Sequence, residues 1–280
     1  MELGDRVMTL VLLGLTSAFG STTSKSAAPF PFSKRLLKLR GGAVEACLFD
    51  FDGTLVQSED VHRRSFGTVL GVELTEKYWN ERCVGRSPRM IMEQNLPPDR
   101  LRPGETIDDL LTKRSALFEQ HIEQGLLEAT SGAEAFVKQA RQRGVRCVVV
   151  SSGSRAYIVK ALEALGLTSD IEFVLAGDDE VVVACGKHKP DPFPYLHAAE
   201  MLGVAPAACL AFEDSLSGIR SAQAAAMPVV VIRNILNEHL EVSKEAPGVV
   251  PPPVLSPEAP LLPVVALVAG FNELPQTIFD

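Results

Sequence analysis

Two aspartates stand two residues apart, Asp50 and Asp52 in "CLFDFDGTL", at the end of an apolar run where an unpaired carboxylate is costly to bury. Asp50 can act as a nucleophile, giving an acyl phosphate that water later opens. Asp52 can protonate a leaving oxygen and afterwards deprotonate the water. Further along the chain come Ser151 and Ser152, then Lys189, then the adjacent acids Glu213 and Asp214. Gathered in one place, the four carboxylates repel one another, and a hard divalent cation that prefers oxygen, Mg2+, relieves the repulsion. A lysine and a hydroxyl beside them supply the charge and the hydrogen-bond donor that a bound phosphoryl group needs. Each residue alone has a plainer reading. "DG" is a turn signal, a serine after a strand caps the next helix, Lys189 is solvated, and "EDS" is a charged helix start.

The elements around these residues decide whether they meet. "AVEACLFDF" (43–51) reads as a buried strand ending in turn chemistry. Residues 59–70 and much of 73–125 read as helices with polar faces, interrupted by the Pro- and Gly-punctuated loop 97–106. From Ser131 onward, helices of about a dozen residues alternate with apolar strands at 145–150, 172–177, 208–212 and 228–232. That alternation predicts an α/β fold with a parallel sheet, whose ligands sit at the carboxyl ends of the strands. Every candidate residue falls at such an end. The helical block 57–132 then reads as a cap inserted into a core made of 43–56 and 133–232. The remainder, 233–280, is Pro-rich, with "VVALVAG" (264–270) as a candidate last edge strand.

Charge and cysteine usage narrow the setting. The formal charge of −8 conceals a basic N-terminus: residues 1–42 carry six basic and two acidic side chains, leaving 21 basic against 33 acidic in the rest. A body this acidic offers no basic stripe to displace the counterions of nucleic acid, so no nucleic-acid partner is expected. The five cysteines are far apart with no CxxC pair, which suggests reduced structural thiols. "VMTLVLLGL" (7–15) is too short to span a bilayer and fits a signal-peptide core, and the Ser-rich, basic stretch that follows is transit-like. Residues 1–42 thus resemble the two-part presequences that direct proteins into secondary plastids, with cleavage near "SAFG" (17–20). A plain secretory signal is the alternative. The mature chain is expected to be monomeric, without stable membrane association.

Four segments carry a family resemblance. "DFDGTL", "VVVSSGS", "KPDP" and "LAFEDSLSGI" resemble, in order and spacing, the four motifs of the haloacid dehalogenase-like (HAD) superfamily over roughly residues 44–232. The resemblance implies a Rossmann-like core with a helical cap, Asp50 as nucleophile and Asp52 as acid and base. It implies that Ser151, Ser152 and Lys189 hold the transferring phosphate. Mg2+ would be bound by Asp50, the backbone carbonyl of Asp52 and Asp214, with Glu213 close by. The second aspartate favours phosphoryl transfer over carbon–halogen cleavage. Within the superfamily the chain is most similar to sugar-phosphate phosphatases and β-phosphoglucomutase. His62, ten residues after Asp52, matches both groups near the cap hinge, where it meets substrate or packs the hinge. Arg86 and Arg89 in "GRSPR", and Arg155 after the serine loop, are further substrate candidates, each with a solvated surface residue as the plainer reading. The mutase's cap arginine would align with Pro88, which weakens that alternative. A Mg2+-dependent phosphatase of a small, sugar-derived monoester is therefore the leading expectation. A hexose-phosphate mutase or a non-catalytic binding protein of the same fold are the alternatives.

Overall fold

A computed structural model describes residues 44–84, 86–234, 237 and 265–279. The expected presequence and most of the Pro-rich stretch lie outside the described residues. Strands β1 (Ala46–Phe49), β4 (Arg146–Val150), β5 (Val174–Leu175), β6 (Cys209–Glu213), β7 (Val229–Ile232) and β8 (Ala266–Val268) form one parallel sheet. Its order is β5-β4-β1-β6-β7-β8. The chain runs outward from β1 in one direction and returns to continue in the other. The topological switch therefore falls at β1, between β4 and β6, where a crevice opens at the carboxyl edge.

The near-continuous apolar strands follow from burial on both faces. Pleating sends Cys47, Phe49, Cys147, Val149, Leu210 and Phe212 to one side, and Ala46, Leu48, Val148, Val150, Cys209 and Ala211 to the other. Helices α5 (Ala133–Gln142) and α6 (Arg155–Ala164) cover the first face, and α8 (Phe193–Leu202) and α9 (Leu216–Ala224) the second. Cys47, Cys83, Cys147 and Cys209 are buried free thiols, while Cys185 is exposed.

Val265, Ala266, Val268, Phe271, Ile278 and Phe279, near the C-terminus, belong to the core. "VVALVAG" supplies edge strand β8, and Phe271 stacks on Phe212 at 5.4 Å while Phe279 lies 5.1 Å from Phe136. Burying such rings contributes about 1.5–3 kcal/mol each. The valine-rich stretch Glu180–Cys185, which by propensity favours a strand, is instead a short helix, α7, closed by Gly186 in the left-handed region.

The cap contains α1 (Glu59–Leu70), α2 (Glu76–Arg82), α3 (Pro88–Asn95) and α4 (Ile107–Glu123) around Phe66, Leu70, Trp79, Met92 and Leu110. Thr106 and Asp109 form a capping box at the start of α4. A feature absent from the sequence reading brackets the cap: β2 (Val56–Gln57) pairs antiparallel with β3 (Glu128–Ala129), a two-strand strap where the chain leaves and re-enters the core. Among the described residues no helix is long and apolar enough to cross a membrane.

Candidate active site

The ladder of β1 runs one residue beyond the strand, with the Asp50 N–H donating to the Phe212 carbonyl at 2.9 Å. Asp50 thereby reaches the crevice beside the ends of β4 and β6. Lys189, on the loop before α8, enters the same gap with a side chain only 5% exposed. Its ammonium donates to Asp50 Oδ1 at 2.7 Å, to Glu213 Oε1 at 2.6 Å and to the Val150 carbonyl at 2.8 Å. Those three acceptors use all three of its protons. Burial pulls the ammonium pKa down, but Asp50 and Glu213 more than offset this and the net shift is upward.

Glu213 is fully buried and committed on both oxygens. Tyr195 donates to Oε1 at 2.7 Å, and the Ser215 hydroxyl donates to Oε2 at 3.2 Å. A Cβ on Gly218 would overlap this carboxylate, so the first turn of α9 closes over it. Glu213 accordingly orients Lys189.

Asp50, Glu213 and Asp214 bring one oxygen each within 4.8 Å of one another. Burial lifts the Asp50 pKa to about 7, against the pull of Lys189 and with Glu213 adding to the rise. Asp214 is raised well above its ordinary value by burial and by the charges of Asp50 and Glu213. Three carboxyl groups crowd around one ammonium, each resisting ionisation of the others, and the donor set is all oxygen. Those residues fit a hard divalent cation such as Mg2+.

Asp52 has different surroundings. Its Oδ1 accepts from the Tyr157 hydroxyl at 2.7 Å, and Ser58 also hydrogen-bonds to the carboxylate. Burial raises its pKa, while these two bonds and the charge of Arg114 oppose the rise. Its side chain is outside the trio above. Ser151, Ser152 and Lys189 line one small cavity with His188 and Gly177. The helix-capping alternative for these serines does not hold: Ser151 Oγ accepts from Gly153 N–H at 3.0 Å, and Ser154 occupies the N-cap of α6.

The expected cap and loop residues have local partners. His62 stacks on Phe118 at 4.3 Å, and its Nδ1 accepts from the Arg114 guanidinium. Burial and that guanidinium push its pKa down to about 3, so the imidazole is packed as a neutral ring. Arg86 donates to Gln94 at 2.8 Å, and Arg89 pairs with Asp108. Arg155 is held by Asp179 at 2.6 Å and the Val174 carbonyl at 2.7 Å, which fastens α6 to the α7 loop. Among the described contacts none of these three arginines bonds to Asp50, Asp52, Glu213 or Asp214.

Arg114 was missed. Its guanidinium sits between the rings of Phe66 and Phe118 at 4.7 and 4.8 Å, is felt by Asp52 and Glu59, and leaves Nε buried without a partner. The signal was present in α4: Leu110, Arg114, Phe118 and Ile122 fall at four-residue spacing, so an arginine occupies the buried stripe. Tyr157 and Tyr195 carried no such signal.

The model of haloacid dehalogenase-like hydrolases matches residues 44–226. The chain belongs to this family. It is 33% identical over 201 residues to the protein CbbY of Rhodobacter capsulatus, covering 67% of this chain and 85% of that one. It is 31% identical over 200 residues to the putative phosphatase YhcW of Bacillus subtilis, covering 68% and 84%. In fold it is similar to a variant of CbbY from Rhodobacter sphaeroides solved with xylulose-(1,5)bisphosphate. There the TM-score is 0.57 at 24% identity, over 72% of this chain and 92% of that one.

Proposed function

We propose that this HAD-family protein is a phosphatase that hydrolyses a small, sugar-derived phosphate monoester through an aspartyl phosphate at Asp50. The observation that carries the reading is the division of the two aspartates. Asp50 lies in the acid cluster under Lys189, and Asp52 lies apart on Tyr157 and Ser58. Two carboxylates two residues apart thus have environments suited to two tasks.

In the first step Asp50 Oδ attacks phosphorus, the bond to the ester oxygen breaks, and Asp52 gives that oxygen its proton. In the second, Asp52 takes a proton from water as the water oxygen attacks phosphorus, releasing inorganic phosphate and restoring the Asp50 carboxylate. Burial favours the protonated Asp52 that the first step requires. Lys189 orients Asp50 and offsets charge, and Ser151 and Ser152 contribute donors to the transferring group. Asp50, Asp214 and the Asp52 carbonyl would hold Mg2+, which supplies charge neutralisation at the phosphoryl oxygens. Arg114, with its unpartnered Nε on the cap side of Asp52, suits a second anionic group or a sugar hydroxyl of the substrate.

The similarity to CbbY supports a sugar phosphate as substrate class. The targeting-like composition of residues 1–42 supports a plastid address. The test is a screen of the purified protein with Mg2+ against sugar and nucleotide phosphates, followed by mass spectrometry. Free phosphate from a sugar monoester, abolished in Asp50→Asn, is the expected result. An isomeric sugar phosphate formed without free phosphate would replace hydrolysis with the mutase reading.

A further inference from the structure

Two asparagines beyond β7, Asn234 and Asn237, have no counterpart in the catalytic set above, yet they grip one member of that set. Asn234 Nδ2 donates to Asp214 Oδ2 at 2.9 Å and to the Asp214 carbonyl at 3.1 Å. Asn237, fully buried, donates through Nδ2 to the same carbonyl at 2.7 Å and to the Ile232 carbonyl at 2.8 Å. Its Oδ1 accepts from the Asn234 N–H at 2.9 Å, and its own N–H returns to the Asn234 carbonyl at 3.2 Å. Asn237 thus fixes Asn234, and both fix Asp214 by backbone and side chain.

Charge within the acid trio is distributed unevenly. The one ammonium binds Asp50 and Glu213, and the described ion pairs place no cation on Asp214. The groups that hold Asp214 are neutral amides. An amide donor sets the angle of a carboxylate without bringing a positive charge that would compete with a metal ion. A lysine or arginine in its place would do both. Gly53, in the turn after the neighbouring strand β1, presses on the same carboxylate, and a Cβ there would overlap it. Asp214 is therefore oriented before any ion arrives, and less of its rotational freedom is lost on binding.

We infer that Asn234 and Asn237 are positioning residues that preset Asp214 as a ligand for the divalent cation, making the start of the C-terminal segment part of the metal site. This rests on the metal-dependent reading proposed above. Partners that hold a metal-binding carboxylate typically change affinity by about 10–100-fold when removed.

The experiment is isothermal titration of Mg2+ into the purified full chain, Asn234→Ala and Asn237→Ala, well below their melting temperatures. Both variants are expected to bind Mg2+ at least tenfold more weakly than the wild type. At saturating Mg2+ their phosphatase kcat should return towards the wild-type value, which a general structural defect would not allow. Should Asn237→Ala fail to fold, Asn234→Ala decides alone, since Asn234 is only half-buried. Affinity within twofold of the wild type in Asn234→Ala overturns the inference and leaves the metal-dependent reading standing. Absence of Mg2+ binding by the wild-type protein sinks that reading instead.

Discussion

Replacing Lys189 with methionine tests the electrostatic core of the site. Methionine keeps much of the lysine stem's volume but removes the charge shared by Asp50 and Glu213, whose side chains are 11% and 0% exposed. Removing one partner of a buried ion pair typically costs about 3–5 kcal/mol, because the remaining charge is left uncompensated. For a chain of this size each kcal/mol shifts the melting temperature by about 2–4 °C, so Lys189→Met should melt about 6–20 °C lower at pH 8. The loss should shrink in acid. The Asp50 pKa is raised by burial to about 7, so the folded protein binds this proton more readily than the unfolded chain does. Its favourable contribution is present at low pH and is lost as the pH climbs through about 7. Without the lysine that window moves higher, and at pH 5 a neutral Asp50 needs no counter-charge. Saturating Mg2+ should likewise recover part of the loss at pH 8 by binding the folded state. The assay is thermal unfolding of both proteins at pH 5 and pH 8. A difference below about 1 kcal/mol at pH 8, or one equally large at pH 5, would refute the reasoning.

Three further outcomes are expected. Because the His62 pKa is pushed down to about 3, the unfolded chain takes up a proton between about 3 and 6.5 that the folded chain refuses. Stability from this group is therefore lost as pH falls through that window. The melting temperature of His62→Gln relative to wild type should rise between pH 7.5 and pH 4.5, and a pH-independent difference would contradict the assignment. Arg114→Met, which retains apolar bulk between Phe66 and Phe118, should raise KM for the preferred sugar phosphate by roughly 10–100-fold, the worth of one charge-assisted hydrogen bond. An unchanged KM across a substrate panel would remove Arg114 from the site. Gly53 has φ of +77° and lies under the Asp214 carboxylate, so Gly53→Ala should lower stability by about 1–3 kcal/mol and weaken Mg2+ binding. Unaltered Mg2+ titration in that variant would show that Asp214 does not depend on this contact.

The strands were legible because an apolar run buried on both faces needs only composition and length to be recognised, as "CLFDF" and "CVVV" show. Asp50, Ser151, Lys189 and Glu213 could be placed at one sheet edge because parallel α/β topology sends every strand end there. The three arginines were harder. Arg89 took Asp108 nineteen residues away, and Arg155 took Asp179 across the next loop. A long, flexible cation pairs with whichever acid the packed surface offers, and the order of residues does not specify that choice. Gly218 carries the same lesson in reverse, since its lack of a side chain has a reason only once Glu213 lies against it.

By itself, the amino-acid sequence determined the family motifs, the alternation of helix and strand, and the edge at which the acids, the lysine and the serines gather. These depend on local patterning and on the handedness of parallel connections. Tertiary structure decided which groups tune those residues. Tyr157 on Asp52, Tyr195 on Glu213, Arg114 against His62, and Asn234 and Asn237 on Asp214 join elements 18 to 105 residues apart. Hydrogen bonds and ion pairs act over a few ångströms in space, and separation along the chain does not reveal them until the core has packed.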